Sequence, residues 1–291
     1  RIVSSIADEW LQQYISEMKK YHFVAMYKSM CSESKKLGRA PGYAYNSLIE
    51  FKAVLKYCLK HDFIDNGDFT ILNPKDFTSE YASREHFLTI EECRLIWSNI
   101  DNVPMTDRNK IILKCVMIFG CRISELYTAL KSDFDLKNKL FIVRKENTKT
   151  QEKSIYRPIH DILLDDLQYL KDQSPGYKFM FHNRDGDRPA SSASISRIAN
   201  TCYTNIKGVE EFRMHDFRRT ISTHLTDIMC PTQYTEKLLG HKLVGTLAKY
   251  NKSRMLKQLA ICEGLWVDII QGKPTPDDCR FMFREHEDLI V

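Results

Sequence analysis

The sequence predicts a mainly α fold with a small antiparallel β-sheet, an α+β chain built from an N-terminal helical domain and a larger mixed domain. Three observations carry that expectation. Apolar residues recur at helical spacing along most of the 291 residues, and three short apolar or alternating runs, FDL, KLFIVRK and SIYRPI, sit together between polar turns. Between the two helical regions lies DNGDFTILNPKDFTSEYASREHFLT, a stretch rich in turn-forming residues. With 43% hydrophobic and 11% aromatic residues the chain can bury two cores, which excludes disorder of the whole.

Trp10, Leu11, Tyr14, Ile15 and Met18 predict a first helix, and Val24, Met26, Tyr27 and Met30 a second. GRAPG, Gly38 to Gly42, breaks the pattern before Leu48, Phe51, Leu55, Cys58 and Leu59 form another stripe. The turn-rich stretch then reads as a linker, so residues 1–83 form a helical domain with its linker and the boundary falls at Ser83. Lys19, Lys20, Lys28, Lys35, Lys36, Arg39, Lys52, Lys56 and Lys60 give this domain a basic surface with tyrosines among them. Such a surface suits contacts to a phosphate backbone, and it also suits a plain solvated face.

The second domain, residues 84–266, opens with LTIEEC, where Thr89 and Glu92 have the spacing of a capping box. A helix through Ile111, Ile112, Cys115, Val116 and Phe119 ends at Gly120, and ISELYTAL resumes the periodicity. After the three strand-like runs, helices return at DILLDDLQYL, ASISRIANTCYTNI, DFRRTISTHLTDIM, TEKLLG and RMLKQLAICEGLW. Residues 267–291, in which acidic side chains outnumber basic ones and prolines intervene, form a C-terminal tail to which no chemistry is assigned.

Composition excludes several classes. The net charge of +5 favours a polyanionic partner only mildly. Nine cysteines, scattered and without a CxxC pair, read as reduced thiols, with neither a zinc ribbon nor a disulfide framework. The strongest apolar run, IILKCVMIFGC, contains Lys114 and is shorter than the about 20 residues that span a bilayer, so no membrane partner is expected. Asp8 and Glu9 interrupt any signal-peptide reading of the start, and a first residue that is Arg1 and not Met reads as a fragment lacking an upstream domain. GxxxxGK[ST] and HExxH are absent, which leaves nucleotide hydrolysis and zinc hydrolysis without support.

What remains is a set of basic groups followed by a tyrosine: Arg122 in FGCRISEL, His215 and Arg218 in MHDFRRT, His241 in LLGH, then Tyr250. Each alone is ordinary: Arg122 has Glu125 three positions on as a helix partner, and most tyrosines are packed. Together they could hold a phosphodiester and attack it with a phenol, with neither metal nor cofactor. A phosphodiester under attack gains negative charge on its non-bridging oxygens, which guanidinium forks hold at any working pH.

In this order and spacing, FGCRISEL, the strand pair ending near TKT, MHDFRRTISTHL and LLGHKLVGTLAKY resemble the catalytic half of the tyrosine recombinases, the phage-integrase family. The resemblance covers roughly Arg84 to Trp266, and the preceding helices look like that family's core-binding domain. It matches Gly120, Arg122, Glu125 and Leu126 to the first box, His215 and Arg218 to the second, and Leu239, Gly240 and His241 to the motif ahead of the nucleophile, Tyr250. The family's lysine, carried between two strands, is best matched by Lys149 in NTKT, with Lys145 and Lys153 as competitors.

The resemblance implies a site-specific DNA recombinase that integrates or excises a prophage or other mobile element through a 3′-phosphotyrosine. Arg122 and Arg218 would clamp the phosphate, His215 would take the phenol proton, His241 would bond the phosphate or position the phenol, and Lys149 would protonate the departing 5′ oxygen. Glu125 and Asp216 would orient the arginines or the histidine. Implied partners are double-stranded DNA at attachment sites, a homotetramer on synapsed DNA, an excisionase and a DNA-bending host protein, in the bacterial cytoplasm at the nucleoid. Protomers of the family exchange a C-terminal helix, for which RMLKQLAICEGLW is the candidate here. A type IB topoisomerase and a non-catalytic DNA-binding regulator are the alternative readings.

Overall fold

The computed structural model describes residues 14–39, 41–65, 67–77, 85–148, 151–186, 188–241 and 254–284. The chain divides into two compact units, Arg1–Glu85 and His86–Val291.

In the first unit a single 3₁₀ turn, Ile15–Glu17, precedes α1 (Lys20–Lys36) and α2 (Pro41–Lys60), and two further 3₁₀ turns follow, Asp68–Ile71 and Pro74–Asp76. Phe23, Met26, Tyr27 and Met30 lie on one face of α1 and bury against Leu48 and Leu55 of α2. Gly38, at φ +62°, closes α1: its N–H bonds to Lys35 O and the Arg39 N–H to Ser34 O, a Schellman cap. Two expectations are corrected here. The predicted first helix is, in its described part, only the 3₁₀ turn, because Met18 is extended (ψ 124°); Trp10 and Leu11 lie outside the described residues. The stretch read as linker contributes Phe69 and Leu72 to the core, since its two large apolar side chains gain more by burial than its turn residues lose by ordering.

The second unit starts at α3 (Ile90–Asn99), where Glu92 N–H donates to Thr89 Oγ1 and Thr89 N–H to Glu92 Oε2, the capping box expected. Next is α4 (Asp107–Phe119), whose last turns are buried on every face. Gly120 (φ +52°) ends it, and the short α5 (Ile123–Tyr127) follows. An antiparallel sheet of β1 (Phe134–Asp135), β2 (Leu140–Val143) and β3 (Ile155–Pro158) runs in that order, with Phe141 opposite Phe134 on one side and Arg157 on the other. Phe134 and Phe141 stack with centroids 4.4 Å apart, fixing the register through an aromatic pair.

Helices complete the unit: α6 (Leu164–Gln173), α7 (Ser192–Asn205), α8 (Asp216–Asp227), α9 (Thr232–Leu238), α10 (Leu256–Ile270) and α11 (Phe281–Arg284). The packing centre is α10, which touches α9, β3, α3, α8 and α4. Its Trp266 is fully buried and donates Nε1–H to Met117 O at 2.6 Å.

Leu259, Cys262, Leu265, Trp266, Val267, Ile269 and Ile270 are all buried, so in the single chain α10 packs into the core of its own unit. One further expectation is corrected here: the unit does not end at Trp266. The helix runs on to Ile270, and beyond it Cys279 and Phe283 are buried, with Phe283 stacked on Tyr234 at 5.0 Å. Among the described residues no helix is long and apolar enough to cross a membrane.

Candidate active site

Two helix ends and one helix start converge to build the site. Gly120 closes α4 and places Arg122 at the N-cap of α5. A Cβ at Gly120 would stand 2.7 Å from both Ile221 Cδ1 and Leu239 Cδ2, so the positive φ and the close packing both require glycine there. LLGH is the second helix end. Gly240 (φ +74°) bonds its N–H to Lys237 O, and the His241 N–H bonds to Glu236 O, a Schellman cap on α9 that delivers His241 one residue beyond the glycine. His215 is the N-cap of α8, and Arg218 lies in that helix's first turn.

Arg218 is almost wholly buried, and its Nη1 donates to Gly120 O at 2.6 Å and Leu239 O at 2.7 Å. It thereby satisfies carbonyls left over at the C-terminal ends of two helices, where a cation is also favoured by the helix dipoles. Nη2 lies 2.7 Å from His241 Nε2. Burial, then Arg122 and Arg157, lower its guanidinium to about 10, still a cation at neutral pH. Arg122, partly exposed, donates Nη1 to Glu125 Oε1 at 2.8 Å and to Gly240 O at 3.4 Å.

His241 is held by Glu236, whose Oε2 lies 2.6 Å from Nδ1. Since a guanidinium can only donate, Nε2 accepts from Arg218 and the proton sits on Nδ1, facing Glu236. His215 opens to the surface. The burial its ring does have, followed by the charges of Arg218, Arg219 and Arg122, holds its imidazole below the ordinary value. It is therefore a neutral base at pH 7 beside a concentration of positive charge.

The structure thus brings Arg122, His215, Arg218 and His241 together. Glu125, fully buried, touches Arg122 directly. Asp216 makes its contacts with the backbone and with His86. Its Oδ2 accepts the Arg213 N–H at 2.9 Å and lies 3.3 Å from His86 Nδ1, so it pins the backbone turn that carries His215. Lys149 and Tyr250 lie outside the described residues; of the competing lysines, Lys145 stands in a 3₁₀ turn after β2 and Lys153 precedes β3.

Sequence reasoning missed Arg157, Glu236 and His86. The signal for Arg157 was available: it occupies an inward position of a strand, where a charge has no reason to stand unless something inside requires it. The other two become neighbours of His241 and Asp216 only through the fold. Among the described residues no group of three His, Cys, Asp or Glu side chains is placed to hold a metal.

Comparison with known proteins places this architecture. A Tn1549 transposon integrase, determined in complex with transposon right end DNA, shares the fold with a TM-score of 0.60 at 19% identity, covering 86% of each chain. A lambda integrase tetramer bound to a Holliday junction shares it with a TM-score of 0.55 at 15% identity, over 82% of this chain and 66% of that one. Among curated relatives, a tyrosine recombinase XerC of Bacillus pumilus is 23% identical over 208 residues, 68% of this chain and 66% of the relative. The chain spans 55 to 66% of the length of the curated relatives it matches. The fold is the one that these integrases share. The sequence model of the phage integrase family matches residues 86–257, more than half of the chain, and the protein belongs to that family.

Proposed function

We propose that the chain is a site-specific DNA recombinase that cleaves and rejoins double-stranded DNA through a 3′-phosphotyrosine on Tyr250, integrating or excising a mobile element. The observation that carries this reading is the convergence of Arg122, Arg218 and His241, from elements far apart in sequence, around the carbonyl ends of α4 and α9, with His215 at the N-cap of the helix that carries Arg218.

Arg122 and Arg218 neutralise the non-bridging oxygens, and losing either should raise the barrier by about 3 to 4 kcal/mol. His215 takes the phenol proton as the Tyr250 oxygen forms its bond to phosphorus. The bond from phosphorus to the 5′ oxygen breaks, and the Lys149 ammonium supplies the proton that oxygen needs. His241, held between Glu236 and Arg218, positions the phenol. The covalent link retains the energy of the broken bond, so a 5′ hydroxyl from a second duplex can reseal the strand.

The partners that go with this reading are DNA attachment sites, a homotetramer on synapsed DNA, an excisionase and a DNA-bending host protein, within a bacterial cytoplasm. The DNA and tetramer assignments draw on what the transposon and lambda integrases hold in their structures. The site residues are assigned on geometry for those described, and on motif for Lys149 and Tyr250.

Covalent capture tests the reading. The protein and a Tyr250→Phe variant are incubated, without divalent metal, with nicked duplexes carrying the junctions of the element that encodes the chain, then run on denaturing gels. A slow-migrating adduct that needs Tyr250 is expected. Joint molecules from two duplexes distinguish recombination from simple relaxation. Firm binding with no adduct would leave a DNA-binding regulator as the better account.

A further inference from the structure

Beside the two clamps lies a third guanidinium, Arg157, that the cleavage chemistry above does not use. It stands on β3 opposite Phe141 and is fully buried, a position that is costly for a charge unless an anion and acceptors surround it. Nε donates to Leu238 O at 3.0 Å, and Nη2 to Glu125 Oε2 at 2.8 Å and Leu239 O at 3.3 Å. Nη1 and Glu263 Oε1 are both buried without a hydrogen-bond partner among the described residues. Burial drives the Glu263 carboxyl far above its ordinary value, against the pull of Arg157, so Glu125 is the counter-charge on which Arg157 relies.

Both contacts are shared with the clamps. Glu125 gives Oε1 to the Arg122 guanidinium at 2.8 Å, while Oε2 accepts from Arg157 at 2.8 Å and, more weakly, from the Arg122 backbone N–H at 3.3 Å. The Leu239 carbonyl accepts from Arg218 at 2.7 Å as well as from Arg157. Arg157 therefore touches the anchor of each clamp while touching no surface itself. With Arg157 removed, Glu125 could engage Arg122 through both oxygens in a bidentate fork, the arrangement the two groups favour, and turn it inward. The α9 cap would also lose the group it rests on, since a Cβ on Gly240 would stand only 2.7 Å from Arg157 Nη2.

We propose that Arg157 is a positioning residue for strand cleavage: by occupying Glu125 Oε2 and the carbonyl end of α9, it leaves the partly exposed Arg122 able to reach the phosphate and fixes the carbonyl that anchors Arg218. The inference rests on the recombinase reading above.

The test is single-turnover adduct formation on the nicked junction duplex by wild type, Arg157→Met and Arg157→Lys, alongside DNA affinity and thermal midpoint. Arg157→Met should bind DNA within about twofold of wild type and cleave about 10 to 100 times more slowly. A duplex with a neutral methylphosphonate at the scissile position makes less demand on the clamps, so there the defect should shrink to about threefold or less. Loss of fold alone would slow both substrates equally. Lysine keeps the charge, but its one nitrogen cannot stand at both the Nε and the Nη2 positions, so it gives up either Leu238 O or the Glu125 and Leu239 contacts; it should fold and cleave about tenfold slower, and it decides the matter if Arg157→Met does not fold. A folded variant that cleaves like wild type, or loses the same factor on both substrates, overturns the assignment. If wild type forms no Tyr250-dependent adduct, the recombinase reading itself falls, which is a different failure.

Discussion

Replacing Gly240 by alanine probes the site through a single methyl group. The glycine sits at φ +74°, where an L-residue costs about 1 to 2 kcal/mol. Its added Cβ would lie 2.7 Å from Arg157 Nη2 and 2.9 Å from Ile155 Cδ1. The isoleucine methyl can rotate aside. The guanidinium is buried and tied to Leu238, Leu239 and Glu125, and it can yield only by giving up those bonds. Overpacking of this kind costs about 1 to 3 kcal/mol. The two terms together make about 2 to 5 kcal/mol, which for a unit of this size lowers the thermal midpoint by about 5 to 15 °C. Differential scanning calorimetry measures that directly, and adduct formation at a temperature where the variant remains folded should be slowed as well, because His241 follows Gly240 in the same cap. Gly176→Ala is the control: it has no positive φ and nothing within 4 Å of its added Cβ, so its midpoint should be unchanged. A Gly240→Ala protein as stable and as active as Gly176→Ala would refute the reasoning about the α9 cap.

Three further outcomes are expected. Gly264 lies within α10 with nothing within 4 Å of its missing Cβ, so Gly264→Ala should stabilise the protein by about 0.5 to 1 kcal/mol in denaturant titration, the helix-propensity difference alone. Trp266→Ala removes the side chain that α10 packs on Met117 and should cost about 3 to 5 kcal/mol in the same assay, with loss of fold in the second unit as the visible result. His215 is held below its ordinary 6.5, so between the two values the unfolded chain binds the proton and the folded chain does not; stability from this group is complete above that range and falls as pH drops through it. His215→Gln should therefore make stability less sensitive to acid and should remove the acid limb of the cleavage rate, and a rate profile unchanged in shape would count against His215 as the base.

The amino-acid sequence by itself determined the local structure and the chemical inventory. Periodicity located the helices from Lys20 onward, the three strand-like runs became one antiparallel sheet, and Thr89 with Glu92 formed the capping box their spacing announced. GRAPG was legible as a break because glycine at a helix end has a local reason, the positive φ at Gly38. Arg122, His215, Arg218 and His241 could be named because residue type and order along the chain express the chemistry.

Tertiary structure alone decided whatever depends on which surfaces meet. How many neighbours an apolar helix packs against cannot be read from its own residues, and in this chain five other elements pack on α10. The linker reading failed at Phe69 and Leu72, and the tail reading at Cys279 and Phe283, for the same reason: a few large side chains in polar company find a core to enter only after the chain has folded. Arg157 is the sharpest case. Its partners lie in α5 and at the end of α9, so its contacts exist only when β3 is brought between them, and the cost of burying its charge is met by a carboxylate and by carbonyls that no local sequence pattern places within reach.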